Sequence, residues 1–269
     1  MKNFLFIAIL LISCIANAKY LEGSIFLNDG DVKIGYIKSF QEYNFLKKIK
    51  PFGSVVDKFN MDDKSIKYKR SLDDEDFITI ATDDILKIVL VENNQTLMIY
   101  KPLRAGGVNK EGELEISDTK IWMPLVMEGD IEIYGFQLTT HNRRTREISI
   151  SYYYFLQFKD EDYAIMPLSE LGIFQLMDSE VVVKTALNEL KLLMFDCPKL
   201  LEPLEAISAK IEDKAERKAF RKAFKKTRKE NLQKFRDANP NAGRILTNFV
   251  GVYNIYYEAI AAYNQSGCN

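Results

Sequence analysis

Histidine is almost absent from this chain, which has one histidine (His141), one tryptophan and three cysteines in 269 residues. A single histidine excludes histidine-activated nucleophiles and metal sites built from several histidines. The sequence also lacks a glycine-rich phosphate loop, a Gly-x-Ser-x-Gly motif, paired-cysteine zinc motifs and His-Glu-x-x-His. We therefore predict no catalytic residue, no metal ligand and no cofactor, and we expect His141 to lie in a surface loop.

Long apolar runs are also missing, except for one at the start of the chain. Lys2 precedes the uncharged apolar stretch Phe4–Ile12, and Ala16-Asn17-Ala18 follows it. A positive charge, a short apolar run and an A-x-A pattern together are typical of a secretory signal peptide. The sequence predicts a signal peptide at residues 1–18, cleaved between Ala18 and Lys19. The mature chain would then have 251 residues and no transmembrane helix.

A second interpretation uses the same leader. Leu11-Ile12-Ser13-Cys14 resembles a bacterial lipobox, in which Cys14 would be lipidated and become the mature N-terminus. Both interpretations share the same charged and apolar regions. We expect an exported protein, periplasmic or extracellular, with lipid anchoring through Cys14 as the alternative.

Two cysteines, Cys197 and Cys268, remain after cleavage at Ala18. Two cysteines in an oxidising compartment favour one disulfide, with two unpaired thiols as the alternative. A disulfide would close a loop of roughly 70 residues and stabilise the fold by about 4 kcal/mol in the chain-entropy model.

Strand signals dominate the mature chain up to about residue 175. Alternating apolar residues flank Asn28-Asp29-Gly30-Asp31, and an Asp-Gly turn between alternating runs indicates a β-hairpin. The polar, glycine-rich segment 105–112 indicates a link between two β subdomains. The predicted strands are residues 23–27, 32–37, 54–59, 65–69, 77–81, 86–91, 96–100, 120–127, 131–139, 148–158 and 163–166.

The apolar period changes from two to about 3.6 residues after Gly172. The pattern predicts a helix from Asp178 or Ser179, a second helix beginning at Pro198, a long amphipathic helix over 207–238 and a last helix over 244–265. The predicted fold class is therefore α+β. An antiparallel β body would cover residues 19–175, with a subdivision near 105–112, and a helical region would cover residues 176–269.

Three short sequence segments, called islands below, resemble segments in a family of exported proteins without assigned activity from Bacteroidota-type bacteria. The islands are the GxIxLxDGxxxxGxI opening from Gly23 to Ile37, Asp196-Cys197-Pro198-x-Leu200 and the pair Tyr263-Asn264. The resemblance implies export and carries over no catalytic residue. This chain departs from the family in the basic stretch 210–236, which looks inserted.

A second resemblance concerns architecture. The hairpin at Asp29-Gly30, followed later by Thr82-Asp83-Asp84-Ile85-x-x-Ile88, is similar to small SH3-like or Sm-like β-barrels. A plain antiparallel meander uses the same turn residues and is the alternative. A shared fold would in either case not define a function.

The total charge of −1 identifies no partner, but the segment Lys210–Arg236 has a local net charge of +8, from twelve basic and four acidic residues. This segment could bind an anionic lipid, lipopolysaccharide or an acidic protein surface. Alternatively, its basic residues only solvate a helix whose apolar stripe packs on the β body. Export excludes nucleic acid as the expected partner. The residues assigned to this surface are Lys214, Arg217, Lys218, Arg221, Lys222, Lys225, Lys226, Arg228 and Lys229.

Three further groups of residues have competing interpretations. Acidic clusters at 62–63, 73–76, 83–84 and 160–162 could serve a hydrolase, but their spacing favours solvated turns. A cluster of Arg143, Arg144 and Arg146 beside His141 lies at a predicted hairpin tip, where it could bind a carboxylate or phosphate, although charge that keeps the tip soluble is the favoured interpretation. The aromatic residues between 152 and 158 alternate across a strand, which favours burial on both faces over a carbohydrate platform.

These observations favour a non-enzymatic binding or structural module of the cell envelope. The alternative function is a carboxylate-based hydrolase acting on glycan or peptidoglycan. The expected partner is an envelope component with an anionic lipid or acidic protein surface.

Overall fold

The computed structural model describes residues 20–38, 54–56, 63–92, 95–109, 111–142, 147–158, 160–169, 171, 179–194 and 197–266. Several predictions fall outside these residues and stay predictions. They concern the signal peptide, Cys14, the cleavage site at Ala18 and Lys19, the arginines Arg143, Arg144 and Arg146, and Cys268.

Strands precede helices along the described chain, which confirms the predicted α+β class. The strands are β1 (Tyr20–Leu27), β2 (Val32–Lys38), β3 (Ser54–Val56), β4 (Ser65–Lys69), β5 (Ile78–Ala81), β6 (Ile85–Glu92), β7 (Gln95–Val108), β8 (Leu114–Met127), β9 (Ile131–Asn142), β10 (Glu147–Phe158) and β11 (Tyr163–Ile165). The helices are α1 (Ser179–Leu193), α2 (Pro198–Glu212), α3 (Lys214–Ala238), α4 (Arg244–Val252) and α5 (Asn254–Ser266).

The chain forms two compact units. Of the described residues, unit 1 contains those up to Pro102 and those within His141–Glu147, and unit 2 contains those within Leu103–Thr140 and Ile148–Asn269. Strand β7 belongs to both, because its first half pairs with β6 and its second half pairs with β11. The transition from strands to helices therefore occurs inside unit 2.

Unit 1 is an antiparallel arrangement with the strand order β6-β1-β2-β4-β5, and a 3-10 turn at Thr82–Asp84 leads into β6. Gly23 of β1 and Gly35 of β2 are cross-strand partners. A Cβ atom at Gly23 would lie 2.6 Å from the Val89 carbonyl oxygen, and one at Gly35 would lie 2.3 Å from the Lys69 carbonyl oxygen. These glycines are therefore required by the close approach of neighbouring backbone.

Five strands of unit 2 form a small closed barrel in the order β7-β8-β9-β10-β11. The ring closes where β11 runs parallel to β7, with Ala164 opposite Ala105 and Ile165 opposite Gly106. Its interior contains the buried residues Leu103, Met123, Tyr134, Phe155 and Ala164. The closed barrel therefore lies downstream of the segment 23–88 on which the SH3-like resemblance rested.

The helices of unit 2 pack on the outer face of the same barrel strands. Tyr154 of β10 is 2% exposed and contacts Phe249 and Tyr253 edge-on, at ring-centroid distances of 5.0 and 5.3 Å. Its neighbour Phe155 points the other way, into the barrel. The prediction that the aromatic strand is buried on both faces is therefore confirmed.

Two predicted helices are interrupted in the structure, so the prediction that each is continuous was wrong. The helix predicted over 207–238 breaks at Asp213, whose backbone is extended with φ −70° and ψ 117° and whose carboxylate accepts hydrogen bonds from the Ala215 and Glu216 amides. The helix predicted over 244–265 breaks at Tyr253, between α4 and α5. An aspartate at a cap position followed three residues later by glutamate is a recognisable helix start.

The glycine-rich segment 105–112 was predicted as a linker, but residues 105–108 belong to β7. The turn follows at Asn109–Gly112, where the Asn109 side chain accepts hydrogen bonds from the backbone amides of Glu111 and Glu113. Gly112 has a φ of +83°, which an L side chain adopts only with strain. The prediction of a linker therefore missed the end of β7, and the turn begins only at Asn109.

Candidate functional site

Helix α3 carries the basic stretch, and the structure shows how it is held. Phe220 and Phe224 stack with a centroid distance of 5.8 Å and pack against the core of unit 2. Near the end of the helix, Phe235 is buried and contacts the Tyr257 ring edge-on at 5.5 Å. One face of α3 is thus anchored by aromatic side chains, while those of its basic side chains that the structure describes are exposed.

Four exposed lysines of α3 share one helical face. Lys218, Lys222, Lys225 and Lys229 follow one another at intervals of four, three and four residues, which places them in a row. Arg236 continues the row two turns further on. We call these five residues the basic stripe; it extends about 27 Å along the helix.

The other predicted residues of this surface have different surroundings. Arg221 forms a salt bridge with Glu180 of α1 at 3.0 Å, and Lys226 pairs with Glu230 at 3.7 Å within α3. Arg228 is exposed. The side chains of Lys214 and Arg217 lie outside the described part of the structure.

The basic stripe ends at a pocket of about 330 Å³, which we call the arginine pocket. Two arginines line it, Arg236 from α3 and Arg244 from the first turn of α4. No carboxylate is among its lining residues, and neither guanidinium has an ion pair within the described part of the chain. The other lining residues are Tyr152, Leu232, Thr247, Asn248, Gly251 and Val252.

The walls of the arginine pocket are fixed by contacts to the core. The single hydroxyl hydrogen of Tyr154 is shared between two acceptors, Asn248 Oδ1 at 2.8 Å and the Ile245 carbonyl oxygen at 2.9 Å. A Cβ atom at Gly251 would lie 3.3 Å from Leu232, so glycine lets α4 approach α3 closely here. Two guanidinium groups and several hydroxyl or amide groups on a fixed wall suit a phosphate or carboxylate group.

Two members of the acidic clusters, Asp74 and Asp162, have structural roles. The Asp74 carboxylate accepts hydrogen bonds from the Arg70 and Ser71 amides of its own turn. Asp162 forms a salt bridge of 2.6 Å with Arg104. Within the described residues no group of three or more potential ligands is placed to hold a metal ion.

A buried glutamate, Glu189 of α1, was not singled out by the sequence reasoning. It is 1% exposed and accepts two hydrogen bonds, one from the Leu168 amide, which lies 3.2 Å from both carboxylate oxygens, and one from the Tyr256 hydroxyl. Burial raises the pKa of this carboxyl group, and the two hydrogen bonds oppose that shift. A signal was present, because Glu189 lies seven residues after Val182 and so falls on the apolar face of α1.

Arg244 was also missed, because it follows the break after α3 and belongs to no local pattern.

Among the described helices, none has both the length and the apolar character needed to cross a membrane. Comparison of the chain with protein-family models, curated proteins and solved structures finds no match.

Proposed function

We propose that this protein is an exported, non-enzymatic component of the cell envelope that binds anionic lipid head groups through α3 and the arginine pocket. The observation that carries the proposal is the arginine pocket, where two arginines without an ion pair in the described chain lie at the end of a row of exposed lysines. The leader at residues 1–18 supports export.

The two parts of the surface would act differently. Lysines near an anionic membrane surface contribute about 1 kcal/mol each, without needing specific contacts. The four lysines of the basic stripe would therefore attract the surface, while Arg236 and Arg244 would bind one phosphate group. Arginine suits the second task because its planar guanidinium can donate two parallel hydrogen bonds to a phosphate.

The proposal is tested by co-sedimentation of the mature protein with vesicles of phosphatidylglycerol and phosphatidylcholine, compared with phosphatidylcholine alone. We expect binding only to the anionic vesicles, and weaker binding at high salt because surface charges are screened. Replacing Lys218, Lys222, Lys225 and Lys229 with glutamine should lower the affinity by at least about tenfold. Lys64→Gln with Arg70→Gln, two exposed basic residues of unit 1, is the control and should bind as the unaltered protein does.

The pocket is tested separately by the double variant Arg236→Gln and Arg244→Gln. Titration with inorganic phosphate, followed through the backbone amide signals of α4, should show shifts that this variant loses. Phosphate binding without vesicle binding would replace the lipid by a soluble phosphorylated ligand. Absence of binding to anionic vesicles at low salt and to phosphate would overturn the proposal as a whole.

A further inference from the structure

A second pocket of about 640 Å³ opens on the barrel of unit 2, and we call it the barrel cavity. Its volume lies within the range of small-molecule sites, roughly 300 to 1,000 Å³. Its apolar wall is formed by Ile116 and Ile121 of β8, Phe155 of β10 and Met166 after β11. The barrel cavity is distinct from the arginine pocket, because the two share no lining residue.

Two adjacent glycines, Gly106 and Gly107, line the barrel cavity where neighbouring segments approach the backbone closely. A Cβ atom at Gly107 would lie 2.4 Å from Ser169 Oγ, and one at Gly106 would lie 3.0 Å from the Glu115 carbonyl oxygen. Neither glycine has a positive φ, so the backbone conformation does not demand glycine there. Glycine is needed there because β8 and the segment after β11 lie too close to this backbone to leave room for a side chain.

The polar rim of the barrel cavity is acidic. Glu115 is the one charged residue among the described residues that line it, beside Asn109, Ser117 and Ser169. The Asn109 amide donates a hydrogen bond of 3.0 Å to Glu115 Oε1, which fixes the carboxylate at the rim. The neighbouring Arg104 is paired with Asp162.

We infer that the barrel cavity binds a small amphipathic molecule with an apolar body and a positively charged amine. The apolar body would contact Ile116, Ile121 and Phe155, and the amine would lie at the rim near Glu115. An apolar pocket with a few convergent polar groups is the usual form of such sites. The acidic rim selects the sign of the head group, because like charges repel there and opposite charges attract.

The test uses N-phenyl-1-naphthylamine, a neutral probe whose fluorescence rises in apolar surroundings. Two competitors, decylammonium and decanoate, each have a ten-carbon chain and differ in the charge of the head group. Decylammonium should displace the probe at about tenfold lower concentration than decanoate, since attraction of one head group and repulsion of the other both contribute. Glu115→Gln should abolish this difference. Glu113→Gln removes the same charge two residues away, outside the lining residues, and should preserve it.

A variant that blocks the opening tests whether the probe binds in the barrel cavity. Ser169 is exposed and lies beside Gly107, so Ser169→Phe should fill the opening without altering the core and should weaken probe binding at least about fivefold. Circular dichroism of each variant checks that the fold is retained. Three results would each overturn the inference: no probe binding, equal displacement by both competitors, or unchanged probe affinity in Ser169→Phe.

Discussion

Asn264 of α5 forms two hydrogen bonds with the backbone of Ile131 at the start of β9. Its Oδ1 accepts from the Ile131 amide at 2.9 Å, and its Nδ2 donates to the Ile131 carbonyl at 3.3 Å. One side chain thus satisfies both backbone groups of a residue that is 0% exposed. This contact fixes the last helix to the barrel within unit 2.

Replacing Asn264 with alanine should therefore destabilise the protein by about 1 to 3 kcal/mol, because two buried backbone groups lose their partners. Urea unfolding gives the free energy of unfolding that checks this value. Gln265→Ala, at the exposed neighbouring position, is the control and should change the stability by less than about 0.5 kcal/mol. Equal stability of the two variants would show that the contact contributes nothing.

Gly129 provides a second test of the same contact. A Cβ atom there would lie 2.1 Å from Asn264 Nδ2, so Gly129→Ala must displace the amide. We expect Gly129→Ala to destabilise the protein, and to do so less when Asn264 is already alanine. A coupling energy of about 0.5 to 3 kcal/mol in this double-mutant cycle is the expected outcome, and strict additivity would contradict it.

Glu189 predicts a pH dependence of stability. Burial raises its pKa above the ordinary value of 4.5, so the folded protein retains a proton that the unfolded chain releases. The stability associated with the protonated group is fully present below the unfolded pKa and is lost as the pH rises through the folded pKa. Glu189→Gln removes this loss, so the variant should gain stability relative to the unaltered protein as the pH rises from the ordinary value of 4.5 through the raised pKa of Glu189.

The control for this experiment is Glu205→Gln, since Glu205 is an exposed partner of Lys191 at 3.6 Å. It should show little change in relative stability over the same pH range. Tyr256→Phe removes the hydroxyl that donates to Glu189 and should cost about 1 to 3 kcal/mol. A pH-independent difference between Glu189→Gln and the unaltered protein would contradict the assignment.

The predicted disulfide between Cys197 and Cys268 has a specific test. Cys197 is buried, and its Sγ lies 3.9 Å from Oγ of Ser266, two residues before Cys268. Cys268→Ala should lower the stability by about 2 to 5 kcal/mol and make the melting temperature insensitive to reductant. If the thiols are unpaired, Cys268→Ala will melt like the unaltered protein and both cysteines will alkylate without reduction.

Asp213 separates α2 from α3 and caps α3. Its carboxylate accepts from the Ala215 amide at 2.7 Å and from the Glu216 amide at 3.4 Å. Asp213→Ala should destabilise the protein by about 1 kcal/mol. The exposed Asp73 offers a control without a helix cap, and Asp73→Ala should have a smaller effect in the same thermal unfolding experiment.

Local patterns in the sequence identified the strands well, because alternation and turn residues are local signals. The Gly23-x-Ile25 and Gly35-x-Ile37 island illustrates this: Ile25 and Ile37 are 0% exposed, and the glycines pair across the hairpin. Tyr263 and Asn264, another island, are explained by packing, since Tyr263 contacts Phe158 edge-on at 5.7 Å. These motifs maintain the fold, which explains why they indicated no chemistry.

The sequence could not reveal features that depend on distant residues. The break at Tyr253 accompanies contacts between its ring and both Phe249 and Tyr154, and residue 154 lies on a separate strand. Arg244 joins Arg236 in one pocket only because α4 returns beside α3. The basic stripe was foreseeable from spacing within one helix, but its continuation into a pocket was not.

The pairing of Asn264 with Ile131 also constrains when unit 2 can be completed. The two residues are 133 positions apart, and such distant contacts slow folding because a long loop must close before they form. A chain still being synthesised, which has not yet produced Asn264, leaves both backbone groups of Ile131 without this partner. Unit 2 is therefore completed only after Asn264 has been synthesised, and until then it lacks the stabilisation that this contact provides.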